Sequence, residues 1–145
     1  MKIVYQYIAH KKLLIQKYSG KACHDTYKQH LERILKEPFS KDIRYVLSDL
    51  TEMEVDDVVK SVIQTSTSRN NKVTIPFKEV LLVTTPATTA FATLLQRIGS
   101  DNAVFHFCST IEKAISLLNV SLTPDEALIH LEDLRNEVQF KESEN

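Results

Sequence analysis

The stretch Val46–Val59, VLSDLTEMEVDDVV, decides how the chain divides. Its first half, with the residues just before it (IRYVLSDL), is apolar enough for a strand buried on both faces. The pattern breaks at Asp49, and Val55, Val58, Val59, Val62 and Ile63 resume at helical spacing. A buried strand followed at once by an amphipathic helix is the unit of a parallel sheet, because parallel neighbours need a crossover. Glu54, Asp56 and Asp57 then fall in the first turn of the helix, where exposed N–H groups and the helix dipole favour negative charge. A helix start by itself accounts for these acids, and a site on them is the sharper alternative.

The flanks repeat the unit. KIVYQYI and KLLIQKY form a hairpin across Ala9, His10 and Lys11. From Cys23 the period lengthens: Tyr27, Leu31, Ile34 and Leu35 make an apolar stripe that Pro38 ends. TSTSRNNKVTIPFK is the most loop-like segment, with VTIPF a short edge strand at most, and EVLLVTT is the next buried strand. Thr85 as N-cap and Pro86 at the first helical position start a third helix that buries Ala87, Ala90, Phe91, Leu94 and Ile98 and stops at Gly99. AVFHF is the last strand. Ser109 with Glu112, and Thr123 with Glu126, have capping-box spacing at the starts of two final helices. The last helix puts Ala127, Leu128, Leu131, Leu134 and Val138 on one side, and the final eight residues are expected to fray.

This order gives an α/β fold with a mostly parallel sheet of four to five strands, entered through an N-terminal antiparallel hairpin. Residues 1–120 form the α/β domain, and residues 121–145 an amphipathic helix and acidic tail packed on it, or laid across a partner subunit.

The chain of 145 residues is 26% charged and 43% hydrophobic, with two glycines and four prolines. A domain of this size buries roughly 68% of its unfolded surface and needs no staple. Cys23 and Cys108 stand in no paired motif, and the five histidines have no metal-ligand spacing, so neither a metal nor another cofactor is expected. The apolar runs are too short to span a bilayer, and MKIVYQYIAHKK lacks a cleavage pattern, so a cytoplasmic protein is expected. Residues 1–45 carry ten Lys or Arg against four Asp or Glu, and the remainder eight against fifteen. The asymmetry could favour head-to-tail contacts, but charged outer helix faces explain it more simply. No nucleic-acid motif accompanies the basic half.

The layout resembles the STAS family, the sporulation anti-sigma-factor antagonists and their relatives, within the broader set of SpoIIAA-like domains. The resemblance runs over roughly residues 3–118: the hairpin, YSGKACHDTYKQHLERIL, RYVLSDLTEMEV, and EVLLVTTPATTAFATLLQRIG with VFHFCSTIEKAISLL. It implies a non-catalytic regulatory or protein-interaction domain of bacterial type. Its partner would be a regulatory protein, such as a kinase-like anti-sigma factor, with a homodimer left open. In signalling members a serine after the central strand accepts phosphate. Here Asp49, Leu50 and Thr51 match the opening of that motif and Asp56 the later acid. Asp57 and Val58 take the serine positions, the glycine is missing and the spacer is one residue short. The phosphoacceptor is therefore not carried over, and the surface implied is Asp49, Thr51, Glu54, Asp56 and Asp57.

A second hypothesis is a binder of a small apolar or anionic ligand, as lipid-binding relatives of this architecture imply. In open α/β sheets ligands bind beyond the carboxyl ends of the strands. Ser19, Thr84, Thr85, Thr88, Ser109 and Thr110 fall there, although each also suits an ordinary helix cap. No glycine-rich phosphate loop is present. Cys23 beside His24 is the one pair resembling an activated thiol, and adjacent helical residues do not face each other. A receiver domain would need paired acids after its first parallel strand, which QKYSGKA lacks.

Overall fold

The computed structural model describes residues 1–56 and 59–143. Strands β1 (Lys2–Ile8) and β2 (Leu13–Lys21) form the antiparallel hairpin through a 3-10 turn at Ala9–Lys11, after which Lys12 is left-handed at φ 51°. Strands β3 (Tyr45–Glu54), β4 (Phe77–Leu82) and β5 (Ala103–Cys108) lie parallel to β2, in the sheet order β1-β2-β3-β4-β5. Every strand neighbours its successor, so right-handed crossovers put the connecting helices on one face. Those are α1 (His24–Lys36), α2 (Val59–Asn70) and α3 (Pro86–Arg97). Helices α4 (Ile111–Leu118) and α5 (Pro124–Ser143) cover the other face. The α/β architecture with its antiparallel entry is the one expected.

Several local expectations are corrected. Strand β3 does not end at Asp49; it runs to Glu54, because β2 continues beside it after a register shift between Lys17 and Ser19 and pairs Lys21 with Glu54. Gly20, at φ 78°, supplies the left-handed backbone within this irregular stretch. Glu54 is therefore a strand residue, Asp56 precedes α2, and among the described residues the first turn of α2 has no acid in it. Asp57 and Val58 lie outside the described residues. Helix α2 takes in TSTSRN, and its buried positions Val62, Ser66 and Asn70 recur every fourth residue. VTIPF adds no edge strand: Phe77 opens β4, and Pro76 before it has no N–H to pair.

Helix α1 buries Tyr27 and His30 and leaves Leu35 70% exposed. Helix α3 buries Thr88, Phe91, Ala92 and Leu95, while Ala87, Ala90 and Leu94 face outward. The cause is its capping box, in which Thr85 and Thr88 bond reciprocally and turn Thr88 inward. Gly99 follows α3 without a positive φ; a Cβ there would sit 2.8 Å from the Ala103 carbonyl oxygen. Thr110, not Ser109, caps α4, and the box of Thr123 and Glu126 opens α5 as expected. Helix α5 buries Ala127, Leu131 and Leu134 but exposes Leu128, and it continues to Ser143 instead of ending short of the last eight residues. The side chain of Val138 lies outside those described.

Candidate functional site

Strands β2, β3 and β4 each aim one polar side chain at the face under α1–α3: Gln16, Ser48 and Glu79, all buried. Gln16 is paired with Ser48 in register, so the side chains meet across the sheet. His30 Nε2 donates to Gln16 Oε1 at 2.8 Å, Gln16 Nε2 donates to Ser48 Oγ at 2.7 Å, and Ser48 donates to Glu79 Oε1 at 2.6 Å. Every bond in this ladder points toward the Glu79 carboxyl. His30 stands between the rings of Tyr5 and Tyr18, and its Nδ1 is buried without a partner. Burial, aided by the charges of Arg33 and Arg69, drives its pKa down to about 4, so the ring is neutral near pH 7.

Beside the ladder is a cavity of about 30 Å³, room for about two water molecules. Leu50, Leu81, Phe91 and Leu95 give it apolar walls, and Tyr18, Tyr27, Arg69 and Glu79 give it polar ones. Arg69 is half-buried; its Nε and Nη2 donate to Asn70 Oδ1 at 3.2 and 3.0 Å. Its guanidinium carbon lies 5.7 Å from the ring centroids of both Phe77 and Phe105, a cation–π arrangement. No carboxylate among the described residues is within ion-pair distance of it. Burial opposes the charge on Arg69, but Tyr27, Glu79 and Tyr18 together outweigh that and raise its pKa further. Burial raises the Glu79 pKa, against the opposing pull of Arg69, Ser48 and Gln16. Tyr18 is pushed well up by burial and stays neutral.

The acids expected on the β3–α2 junction are distributed differently. Asp49 is buried on the opposite face of the sheet, where Lys17 Nζ meets Oδ2 at 2.8 Å and the Thr51 N–H and hydroxyl donate to Oδ1 at 2.9 and 2.6 Å. Lys17 also approaches Glu52 at 3.5 Å, and Arg135 of α5 closes on Glu52 at 3.2 Å. Asp56 pairs with Lys21 at 3.0 Å, and Glu54 is exposed. Basic groups of β2 and α5 thus offset much of the acidic seam within the fold.

The hydroxyl residues serve mainly as caps. Thr85, Thr88 and Thr110 hold helix starts, Thr84 and Ser109 are exposed, and Ser19 lies within β2 opposite Glu52, two strands from the β4 end. The unbroken strand order contains no reversal, so it forms no crevice of the switch-point kind. The Cys23 pKa is lowered, first of all by hydrogen bonding with Thr26, but His24 turns to Thr65 Oγ1 at 2.7 Å and forms no pair with the thiol. His130 bonds Gln6 and not Asp133. Among the described residues no group of His, Cys, Asp or Glu is placed to hold a metal ion, and no helix is long and apolar enough to cross a membrane.

No protein-family model matches the chain, and no curated protein matches it. Among solved structures it is similar to an uncharacterized protein of the DUF3478 family from Shewanella loihica PV-4, described as having a SpoIIAA-like fold. The TM-score is 0.55 at 17% identity, over 80% of this chain and 93% of that one. The fold of this chain is accordingly SpoIIAA-like.

Proposed function

We propose that the protein is a non-catalytic regulatory or protein-interaction domain whose contact surface is the β3–α2 junction. The observation that carries this reading is the two-sidedness of the junction. Met53 and Val55 line the cavity, while Glu52 and Glu54, alternating with them, are exposed. A partner gripping the acidic side would move the cavity wall, and a change in the cavity would move the acids. The SpoIIAA-like fold supports the reading through the resemblance to anti-sigma-factor antagonists, in which the same junction is the regulated surface. A phosphate switch is not part of the proposal: Ser48 is fully buried, and the Thr51 hydroxyl is engaged by Asp49.

The test is native mass spectrometry of the protein purified from its own cells, against Glu54→Lys with Asp56→Lys. Loss of a co-purifying partner from the variant, with an almost unchanged Tm, is expected. A partner retained at wild-type occupancy would refute the junction as the contact surface.

A second reading, a small-ligand binder, is favoured by one observation: a guanidinium facing an apolar cavity with no carboxylate in ion-pair reach among the described residues. It moves the ligand site from the hydroxyl-rich strand ends to the space under α1–α3.

A further inference from the structure

We infer that the cavity takes an apolar molecule by its carboxylic acid group, with Arg69 as the cation and Glu79 sharing one proton with the ligand. This rests on the small-ligand reading above and names the ligand class.

Arg69 on α2 and Glu79 on β4 line the same cavity, and apart from Tyr18 and Tyr27 the rest of its wall is apolar. In such surroundings an uncompensated charge is costly. With Glu79 ionised the empty site is neutral. A bound carboxylate would leave it one charge negative unless a proton enters as well. Two carboxyls in one site cannot both ionise readily, so one proton between them restores neutrality beside Arg69. No covalent bond forms or breaks: the ligand anion and one proton from solvent enter together. Burial, which raises the Glu79 pKa, lowers the cost of adding that proton.

The surroundings of Glu79 fit this role. Ser48 occupies Oε1, and the ladder behind it ends in neutral His30 on α1. The other titratable groups facing it are Tyr18 from β2, Tyr27 from α1 and Arg69 from α2. From α3 and β5 the cavity receives Phe91, Leu95 and Phe105, none titratable.

Size points the same way. About 30 Å³ holds roughly two water-sized groups, the span of a carboxyl's two oxygens. The apolar tail needs more room. Met1 and Met53 also line the cavity, and unbranched thioether side chains repack at low cost.

Isothermal titration of the full chain with sodium octanoate tests the proposal, in two buffers of different ionisation enthalpy. One-to-one binding with uptake of about one proton is expected, the affinity falling up to about tenfold per pH unit above the coupled pKa. Glu79→Gln should bind octanoate without proton uptake, and Arg69→Gln should weaken it about tenfold or more. Octan-1-ol is the control. Alcohol binding as tight as octanoate, or octanoate binding to wild type without proton uptake at any pH across the titration range, would overturn the carboxylic acid inference while leaving a ligand cavity. Binding of neither compound to wild type would remove both. Should Arg69→Gln not fold, the proton count and the alcohol comparison on wild type still decide.

Discussion

The two faces of one sheet are built on different principles. Under α4 and α5 the packing is almost wholly apolar: Leu13, Ile15, Leu47 and Val80 from the strands meet Leu118, Leu131 and Leu134 from the helices. A buried charge pair on this face, Lys17 with Asp49, sits beside Thr51 and Glu52. Under α1–α3 the same strands present Gln16, Ser48 and Glu79, the helices answer with His30, Ser66, Asn70 and Arg69, and a cavity remains. A fold that needed only stability would have filled that face with leucine, because replacing a buried polar network by well-packed apolar groups is often neutral or stabilising. The contrast sets a face packed for stability against one that keeps buried polar groups and a cavity, the face to which the ligand proposal belongs.

The largest effect expected on the stability face comes from Lys17→Met, which leaves Asp49 buried without its cation. A loss of about 3–5 kcal/mol in urea unfolding is expected, and a loss under about 1 kcal/mol would show that Thr51 alone suffices. Leu134→Ala, at a side chain 1% exposed, should cost about 2–5 kcal/mol and leave octanoate binding in place. If it removed binding, the division of labour between the faces would fail.

On the other face the expectation concerns pH. The folded pKa of His30 is about 4 against an ordinary 6.5, so the unfolded chain takes up the proton first. The stability His30 contributes is present above about pH 6.5 and is lost as pH falls toward 4, about 3 kcal/mol in all. Glu79 acts with opposite sign: its folded pKa is raised, so its contribution is present at low pH and lost as pH rises through the raised value. Denaturation curves of wild type and His30→Gln across this range isolate the histidine slope; identical slopes would place the proton elsewhere.

Ser48→Ala removes the donor to Glu79 and the acceptor for Gln16, and about 1–3 kcal/mol is expected from thermal or urea unfolding. Cys23→Ser should change neither Tm nor any binding, since His24 is engaged elsewhere. A lost activity in that variant would bring back the thiol chemistry that the sequence alone leaves open.

The fold was legible because each strand and helix carries its own period. What was not legible depends on partners far along the chain. Glu54 read as a helix start because nothing local reveals that Lys21 of the neighbouring strand β2 pairs with it. TSTSRN read as a loop because its inner face carries Ser66 and Asn70, which are satisfied by Tyr27 on α1 and the Ile98 carbonyl after α3. The candidate site left a faint signal: one polar residue, Gln16, Ser48 or Glu79, at a position facing α1–α3 in each of LLIQKY, YVLSDL and EVLLV. Singly these look like interruptions. Strand register alone puts Gln16 against Ser48, and only the return of α2 over the sheet adds Arg69.

The unbroken strand order also bears on how the chain is made. Each strand can dock on the one synthesised just before it, so the sheet can grow in the direction of translation with little loop closure to overcome. Helix α5 is the exception, because it returns from the far end to pack on β1 and β2. Until α5 emerges from the ribosome, Leu13 and Ile15 lack their cover, and the nascent chain exposes them to aggregation.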